Sequence, residues 1–179
     1  MSGRQAAMEH ARSRTDERVR VMHLIPRFGN NGTCRMVNAL IKNTDHDRFR
    51  IFVGVLSRDE SPLQPLIELG AEPIQFRMKH FADVSVIAKL VRALREHRIQ
   101  ILHTHRTRPD LIGRLAGYWA GVPINVSTMH YLGEWDVRGA IDARSVRLLY
   151  RPTLPLTQKI VNISTGEMAL MRSEGIPAE

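Results

Sequence analysis

The sequence predicts an α/β fold, a three-layer, Rossmann-like, doubly wound parallel sheet. Three observations predict it. Short apolar runs of strand length recur along the chain, and stretches with helical periodicity separate them. Capping and stop residues punctuate those stretches at the expected places. The length of 179 residues, with 43% hydrophobic and 25% charged residues, suits one globular domain and excludes two full-size ones. Strands that alternate with helices call for a parallel sheet covered on both faces, joined by right-handed crossovers.

Taken in order, residues 1–17 are polar and Arg-rich and read as a disordered leader. Val19 to Ile25 is the first strand, ended by Pro26-Arg27-Phe28-Gly29-Asn30-Asn31-Gly32. Thr33 opens a helix with Met36, Val37, Leu40 and Ile41 on one face. Arg50 to Leu56 is the second strand, Pro62 to Leu69 a short helix stopped by Gly70, and Pro73 to Phe76 the third strand. Val84, Ile87, Ala88, Val91 and Leu94 form the core-facing stripe of the next helix, with Arg92, Arg95 and Arg98 turned away. Gln100 to His103 is the fourth strand. Thr107 to Asp110 has the spacing of a capping box before a helix over Leu111–Ala120, with Gly121 as its stop. Ile124 to Thr128 is the fifth strand, Arg138 to Arg151 an amphipathic helix, and Lys159 to Ile163 the sixth strand. Ser164 to Glu167 is a second capping box, opening a last helix to about Glu174.

Composition narrows the function. Cys34 is the single cysteine, so neither an intramolecular disulfide nor a cysteine-based zinc site is available. No apolar run approaches the ~18–20 residues of a membrane span. The first residues lack the apolar segment of a secretory signal, which points to a cytoplasmic protein. The formal net charge is +8, carried by 22 arginines against 4 lysines. Such a balance suits anionic partners: nucleic acid, phosphosugars or anionic lipid. A general arginine bias of composition is the plainer explanation. Aromatic RNA-binding motifs, zinc-finger spacing and a basic zipper region are all missing, so nucleic acid is not the expected partner.

In a doubly wound sheet, ligands bind beyond the carboxyl ends of the strands. Residues 26–33, 57–60, 104–108 and 129–135 are the loops at that edge. Gly29 and Gly32 allow close backbone approach, and the helix that follows favours an anion at its amino end. The loop lacks the Gly-x-Gly-x-x-Gly spacing of dinucleotide sites, and the second strand ends without an acid placed for a ribose hydroxyl. A tight turn and a ligand loop both fit this spacing. His103 and His105 lie two residues apart at one strand end, and His130 ends the neighbouring strand. Three histidines form a metal site in principle, but hydrogen bonding to a sugar or phosphate is preferred. His23 lies inside the first strand and reads as a core histidine. Arg106 and Arg108 suit charge-assisted bonds to phosphate or a solvated loop. Glu134 and Asp136 form a carboxylate pair beside Trp135. Cys34 reads as a small packed residue. The Arg138–Arg151 stretch suits an anionic membrane surface, or an ordinary surface helix with one apolar face.

At these residues the chain resembles the amino-terminal domain of the GT-B glycosyltransferases of retaining family four. The segments that carry the resemblance are VMHLIPRFGNNGTCRMV, ILHTHRTRPDLIGRLAGYWAGVP, NVSTMHYL and the tail KIVNISTGEMALMRSEGIP. They are similar to the family's strand before Gly-Gly-Ala-Glu-Arg, its His-Thr-His strand end with a Gly-Arg helix and Gly-Val-Pro, its Thr-x-His-Gly strand end, and its linker-proximal tail. Together they span about residues 18–177 in consistent order. Asn31 stands where the family often has glycine, Cys34 where it has glutamate, and Tyr131 where it has glycine, while Arg35 keeps the arginine.

The resemblance implies one half of a GT-B fold, with residues 18–177 as the acceptor-side domain and the carboxyl-terminal donor-binding domain absent. It implies transfer of a sugar from a nucleotide-sugar donor to a glycan or lipid-linked acceptor. No metal or other cofactor is expected. His130 would face the reacting sugar as the catalytic group. Gly29, Asn31 and Gly32 would approach the donor phosphates or acceptor, and His105 would line the acceptor side, next to Arg106. The expected place is the cytoplasm, at the inner face of the membrane. The chain alone is expected to be inactive, with a donor-binding domain or subunit supplied in trans. A non-catalytic Rossmann-type partner module and a dehydrogenase-like nucleotide-binding domain are the alternatives.

Overall fold

The computed structural model describes residues 17–58, 62–80, 83–129, 148 and 150–173. Six parallel strands form one sheet in the order β3-β2-β1-β4-β5-β6. They are β1 (Val19–Ile25), β2 (Phe49–Val55), β3 (Glu72–Gln75), β4 (Ile101–His105), β5 (Ile124–Met129) and β6 (Lys159–Asn162). The helices are α1 (Gly32–Lys42), α2 (Gln64–Glu68), α3 (Ser85–Glu96), α4 (Thr107–Ala120) and α5 (Thr165–Ser173), with a 3₁₀ turn at Leu154–Leu156. The strand order reverses between β1 and β4. A doubly wound sheet opens its ligand crevice at that switch point.

Central strands are apolar on both faces because helices cover both. In β1, Val21 and Ile25 join Val53 and Ile51 of β2 and Val37 and Ile41 of α1 in one core. Met22 and Leu24 point the other way, into a second core with Phe52, Leu102, Val86, Leu90 and Ala116. This alternation explains why β1 reads as a continuous hydrophobic run.

Three sequence expectations are corrected. The core stripe of α3 is Val86, Leu90, Ala93 and Leu94. Of the expected stripe, Leu94 is buried, Ile87 and Val91 are partly buried against the core, and Ala88 and Val84 are exposed, Val84 to 75%. The apolar side of the helix is broad, and periodicity alone centred it too far toward Val84 and Ala88. Next, β4 runs through His105 rather than ending at His103, because β5 keeps its ladder going: His105 pairs with Thr128, and Arg106 N donates to Thr128 O at 3.1 Å. Finally, the capping box at Thr107 does not form. The N-cap of α4 is Arg106, which makes no side-chain cap, and Asp110 turns inward instead.

Asp110 and Arg114 are each 1% exposed and pair at 2.7 Å across one helical turn. Asp110 also accepts from Thr104 of β4 at 2.8 Å, from Tyr150 at 2.6 Å and from Ser127 of β5. Arg114 donates to the Tyr150 hydroxyl at 2.8 Å, with its guanidinium 4.2 Å from that ring's centroid. Burial, and next the charge of Asp110, push the Tyr150 phenol well above its ordinary range. The cluster ties helical residues 150–153 to α4 and to two strands. Residues 1–16 of the expected leader 1–17, residues 59–61, His130, Tyr131, Glu134, Asp136, most of the Arg138–Arg151 stretch and the tail after Ser173 lie outside the described residues.

Helix α4 can approach the sheet this closely because its inner face carries Gly113 and Gly117, both buried. A β-carbon on Gly113 would sit 2.5 Å from Thr104 Cγ2 and 3.3 Å from Leu24 Cδ2. Thr104 is held by Asp110 and cannot swing aside. Gly113→Ala is therefore expected to lower stability by about 1–2 kcal/mol, the cost of overpacking outweighing the ~1 kcal/mol of helix propensity that alanine brings. Urea denaturation reads this directly, and an unchanged or raised midpoint would contradict the packing.

Candidate functional site

The loop after β1 is pinned from below. Phe28 is buried, and Cys34, 1% exposed, donates from Sγ to the Arg27 carbonyl at 3.4 Å. Cys34 thus fills a packing role. Asn31 is the N-cap of α1, with φ −140° and ψ 166°, and its Oδ1 accepts from Cys34 N at 3.0 Å. The helix starts at Gly32, one residue before the expected Thr33, because asparagine is among the strongest capping residues. Gly29 has φ 156°, a conformation natural only to glycine, and no atom lies within 4 Å of where its β-carbon would sit. The space over Gly32 is equally open. Helix α1 has no acid in its first turn, so its amide-rich end stays positive and suits an anion.

Beside this loop three histidines converge. His23 of β1 pairs in register with His103 of β4, and His105 lies two residues further along the same face. His23 Nδ1 and His105 Nε2 are 3.1 Å apart in a hydrogen bond, and His103 Nε2 bonds Thr128 Oγ1 at 2.7 Å. Burial, and next the proximity of His103, lower the His23 pKa from 6.5 to about 3. His23 is therefore neutral at pH 7, as a group inside a low-dielectric site must be without a partner anion. His105 has no exposed surface, while His103 is half-buried at the rim. The potential ligand atoms of the three lie within 4.8 Å of one another, the donor set of a three-imidazole metal site.

The sequence placed His103 and His105 together, and the structure does the same. It adds His23, read from the sequence as a core histidine. His23 is buried and bonded, yet it sits in the switch-point cluster. Its register with His103 was the available signal, since β1 and β4 are neighbours wherever the strand order reverses.

Arg106 is the one residue between β4 and α4. Its φ of 76° and ψ of 160° are a backbone conformation essentially reserved for glycine. Arg108, two residues on, is half-buried; its burial, and next the charge of Arg106, lower its guanidinium pKa. Two guanidiniums are thus concentrated at the start of α4, on the same edge as the α1 loop. The edge can hold phosphate or sugar hydroxyls: it combines amides, guanidiniums and imidazoles, with open space over the glycines among the described residues.

A family model described as "Glycosyl transferase 4-like domain" matches residues 18–179. A UDP-Gal:alpha-D-GlcNAc-diphosphoundecaprenol alpha-1,3-galactosyltransferase of Escherichia coli is 30% identical over 69 residues, which is 38% of this chain and 17% of that protein. Anabaena Alr3699/HepE, solved with UDP and glucose, superposes with a TM-score of 0.66 at 15% identity, over 89% of this chain and 42% of that one. The lipopolysaccharide outer core galactosyltransferase WaaB, in its apo form, superposes with a TM-score of 0.64 at 15% identity, over 89% and 43%. These superpositions match the fold of one half of a GT-B enzyme. The chain spans less than half the length of each relative.

The strain at Arg106 predicts that Arg106→Gly stabilises the fold. Relief of ~1–3 kcal/mol against the ~0.5–1 kcal/mol entropic cost of glycine leaves a net gain of about 1 kcal/mol. A lowered thermal midpoint would count against the strain. His23 makes a separate prediction. Its folded pKa lies below the unfolded value, so the unfolded chain binds the extra proton between pH 6.5 and about 3. Stability from this group is full above pH 6.5 and is lost as pH falls toward 3. Replacing His23 by Gln should flatten that part of a stability–pH profile, and an unaltered slope would assign the acid lability elsewhere.

Proposed function

Because the chain belongs to the glycosyl transferase 4-like family, we propose that it is the acceptor-side half of a retaining glycosyltransferase. In this reading a sugar passes from a nucleotide-sugar donor to a glycan or lipid-linked acceptor. The observation that carries the reading is the family match across residues 18–179, the same stretch that builds the switch-point edge. The galactosyltransferase relative named for a diphosphoundecaprenol-linked acceptor supports a lipid-linked one.

The chemistry of the edge fits such a transfer. Breaking the donor bond develops negative charge on a diphosphate leaving group, and fixed donors aimed at that charge lower the barrier. The amide end of α1 and the guanidiniums of Arg106 and Arg108 supply positive potential on one wall of the cleft. Gly29 and Gly32 leave room for a ligand to come against the backbone, and Asn31 fixes the loop by its cap. His105 and the neutral His23 pack against His103 at the rim, where it reaches a sugar hydroxyl. His130, one residue beyond β5, is proposed as the group that contacts the reacting sugar.

The donor is proposed to be held by a second domain or subunit that closes the cleft. Among the described residues no helix is long and apolar enough to cross a membrane. The proposed site of action is the cytoplasmic membrane face, reached by peripheral contact. No metal or other cofactor is proposed for the transfer.

The test joins this chain to a donor-binding domain and follows release of nucleoside diphosphate with UDP-sugars and a lipid-linked acceptor. The completed enzyme should turn over, insensitive to EDTA, and the chain alone should not. His130→Ala should cut kcat by about 10²–10³-fold with the thermal midpoint unchanged. Turnover at enzyme rates by the chain alone, or full activity of the His130 variant, would falsify this assignment.

A further inference from the structure

The three imidazoles at the switch point form a compact donor set. Strands β1 and β4 are parallel neighbours, and His23 pairs with His103 in register. His105, two residues on, returns to the same face. The ring centroid of His23 lies 5.1 Å from that of His103 and 5.3 Å from that of His105, and the last two are 4.3 Å apart. One potential ligand atom from each ring lies within 4.8 Å of the other two. His23 Nδ1 and His105 Nε2 are closer still, at 3.1 Å, and share a hydrogen bond.

That separation decides what the pair can hold. A tetrahedral metal with bonds of about 2.0–2.1 Å to imidazole nitrogen sets its ligand atoms about 3.3 Å apart. The His23–His105 pair already has nearly this spacing, with the two nitrogens directed at the point between them. Between neutral rings a single proton occupies that point, and a metal ion would take its place. The displaced proton passes to the outer nitrogen of its own ring, so both imidazoles stay neutral and no proton is lost. His103 is the adjustable arm. It is half-buried at the rim, and its Nε2 bonds Thr128 Oγ1 at 2.7 Å. When Nε2 donates to that hydroxyl, Nδ1 carries the lone pair, and the bond orients the ring as outer-shell partners orient metal-ligating histidines. From the 4.8 Å limit, closing the triangle takes at most about 1.5 Å of movement.

We propose that His23, His103 and His105 bind one divalent transition-metal ion of the zinc class through three neutral imidazoles. Imidazole nitrogen suits zinc, nickel and copper, whereas magnesium and calcium call for oxygen ligands. Three imidazoles leave the fourth position of a tetrahedron open. The trio contains neither carboxylate nor thiolate, so the ion keeps its full double charge. That charge favours an anionic oxygen, from hydroxide or phosphate, as the fourth ligand. The half-buried side at His103 is the way in. The ion is not a cofactor of the sugar transfer, and the site goes beyond the transferase reading without depending on it.

Titration calorimetry of the full chain, free of any histidine tag and stripped with a chelator, tests this directly. The probes are zinc, cobalt and magnesium chlorides. Zinc should bind with a stoichiometry of one, and magnesium should not bind. Bound cobalt should show the intense visible bands of a four-coordinate site. His103→Gln, at the half-buried position, should weaken zinc at least about tenfold, and His23→Gln should do the same. Zinc should raise the thermal midpoint of the unsubstituted chain, and both variants should lose most of that rise. His80→Gln, at an exposed histidine outside the cluster, should bind zinc as the unsubstituted chain does. Circular dichroism of the metal-free variants confirms that they fold. Should His23→Gln fail to fold, the His103→Gln titration and the cobalt spectrum decide the matter. Absence of zinc binding, or zinc binding that survives both cluster substitutions, overturns the site. So does binding that is lost on His80→Gln or His130→Gln and kept by His23→Gln. Sugar transfer by the completed enzyme, combined with failed zinc binding, would remove this site and leave the transferase reading standing.

Discussion

The buried carboxylate of Asp110 organises the half of the sheet that carries the site. It takes hydrogen bonds from β4, β5 and residue 150, and it pairs with Arg114 on its own helix. A buried ion pair is not by itself a strong source of stability, because desolvation offsets much of the attraction. Its value here is geometric. With Thr104 in a strand and Asp110 in a helix bonded to each other, only Arg106 is left between the end of β4 and the start of α4. The chain must reverse within that residue, and a backbone of φ 76° is the consequence. The polar cluster under α4 and the strained residue above it are two ends of one constraint. The same constraint has a residual cost, since Arg114 Nε is buried without a partner among the described residues.

Most of the fold was legible because parallel sheets write themselves as apolar runs separated by helical periods. All six strands were found, with ends shifted by one or two residues. The shift that mattered was at β4, where pairing with Thr128 extends the strand past the point at which composition suggests a loop. Helix α3 was harder. Its apolar side is broad, with Ile87 and Val91 at the margin, and periodicity cannot say which residues sit at its centre. The capping box at Thr107 was misread because a carboxylate at the right spacing found stronger bonds below than a backbone amide could offer.

The site was legible in part, for a related reason. Gly29, Asn31, Gly32, His105 and Arg106 were picked from strand ends, and the topology brings these ends to one edge. His23 escaped because a histidine within an apolar run looks like core. Only the β1–β4 pairing places it against His103. Arg114 escaped because its partners beyond Asp110 are Ser127, Tyr150 and Thr153, which lie 13, 36 and 39 residues further along the chain. The local hint was an Asp–Arg pair one helical turn apart in an otherwise apolar helix.

The edge has an electrostatic logic that follows from burial. His23 is buried among two further imidazoles, and it stays neutral because desolvation, and next the proximity of His103, outweighs any gain from protonation. Positive charge is instead placed on the guanidiniums of Arg106 and Arg108. The edge therefore combines guanidiniums at the start of α4 with a neutral His23 in the strands below. An anion drawn to the rim meets imidazole nitrogens whose donor and acceptor roles depend on the tautomer. Sugar hydroxyls need that freedom, since each is both donor and acceptor, and phosphate needs the fixed cations. The two requirements conflict in a single residue type, and here they are divided between arginines on a strained turn and histidines within the strands.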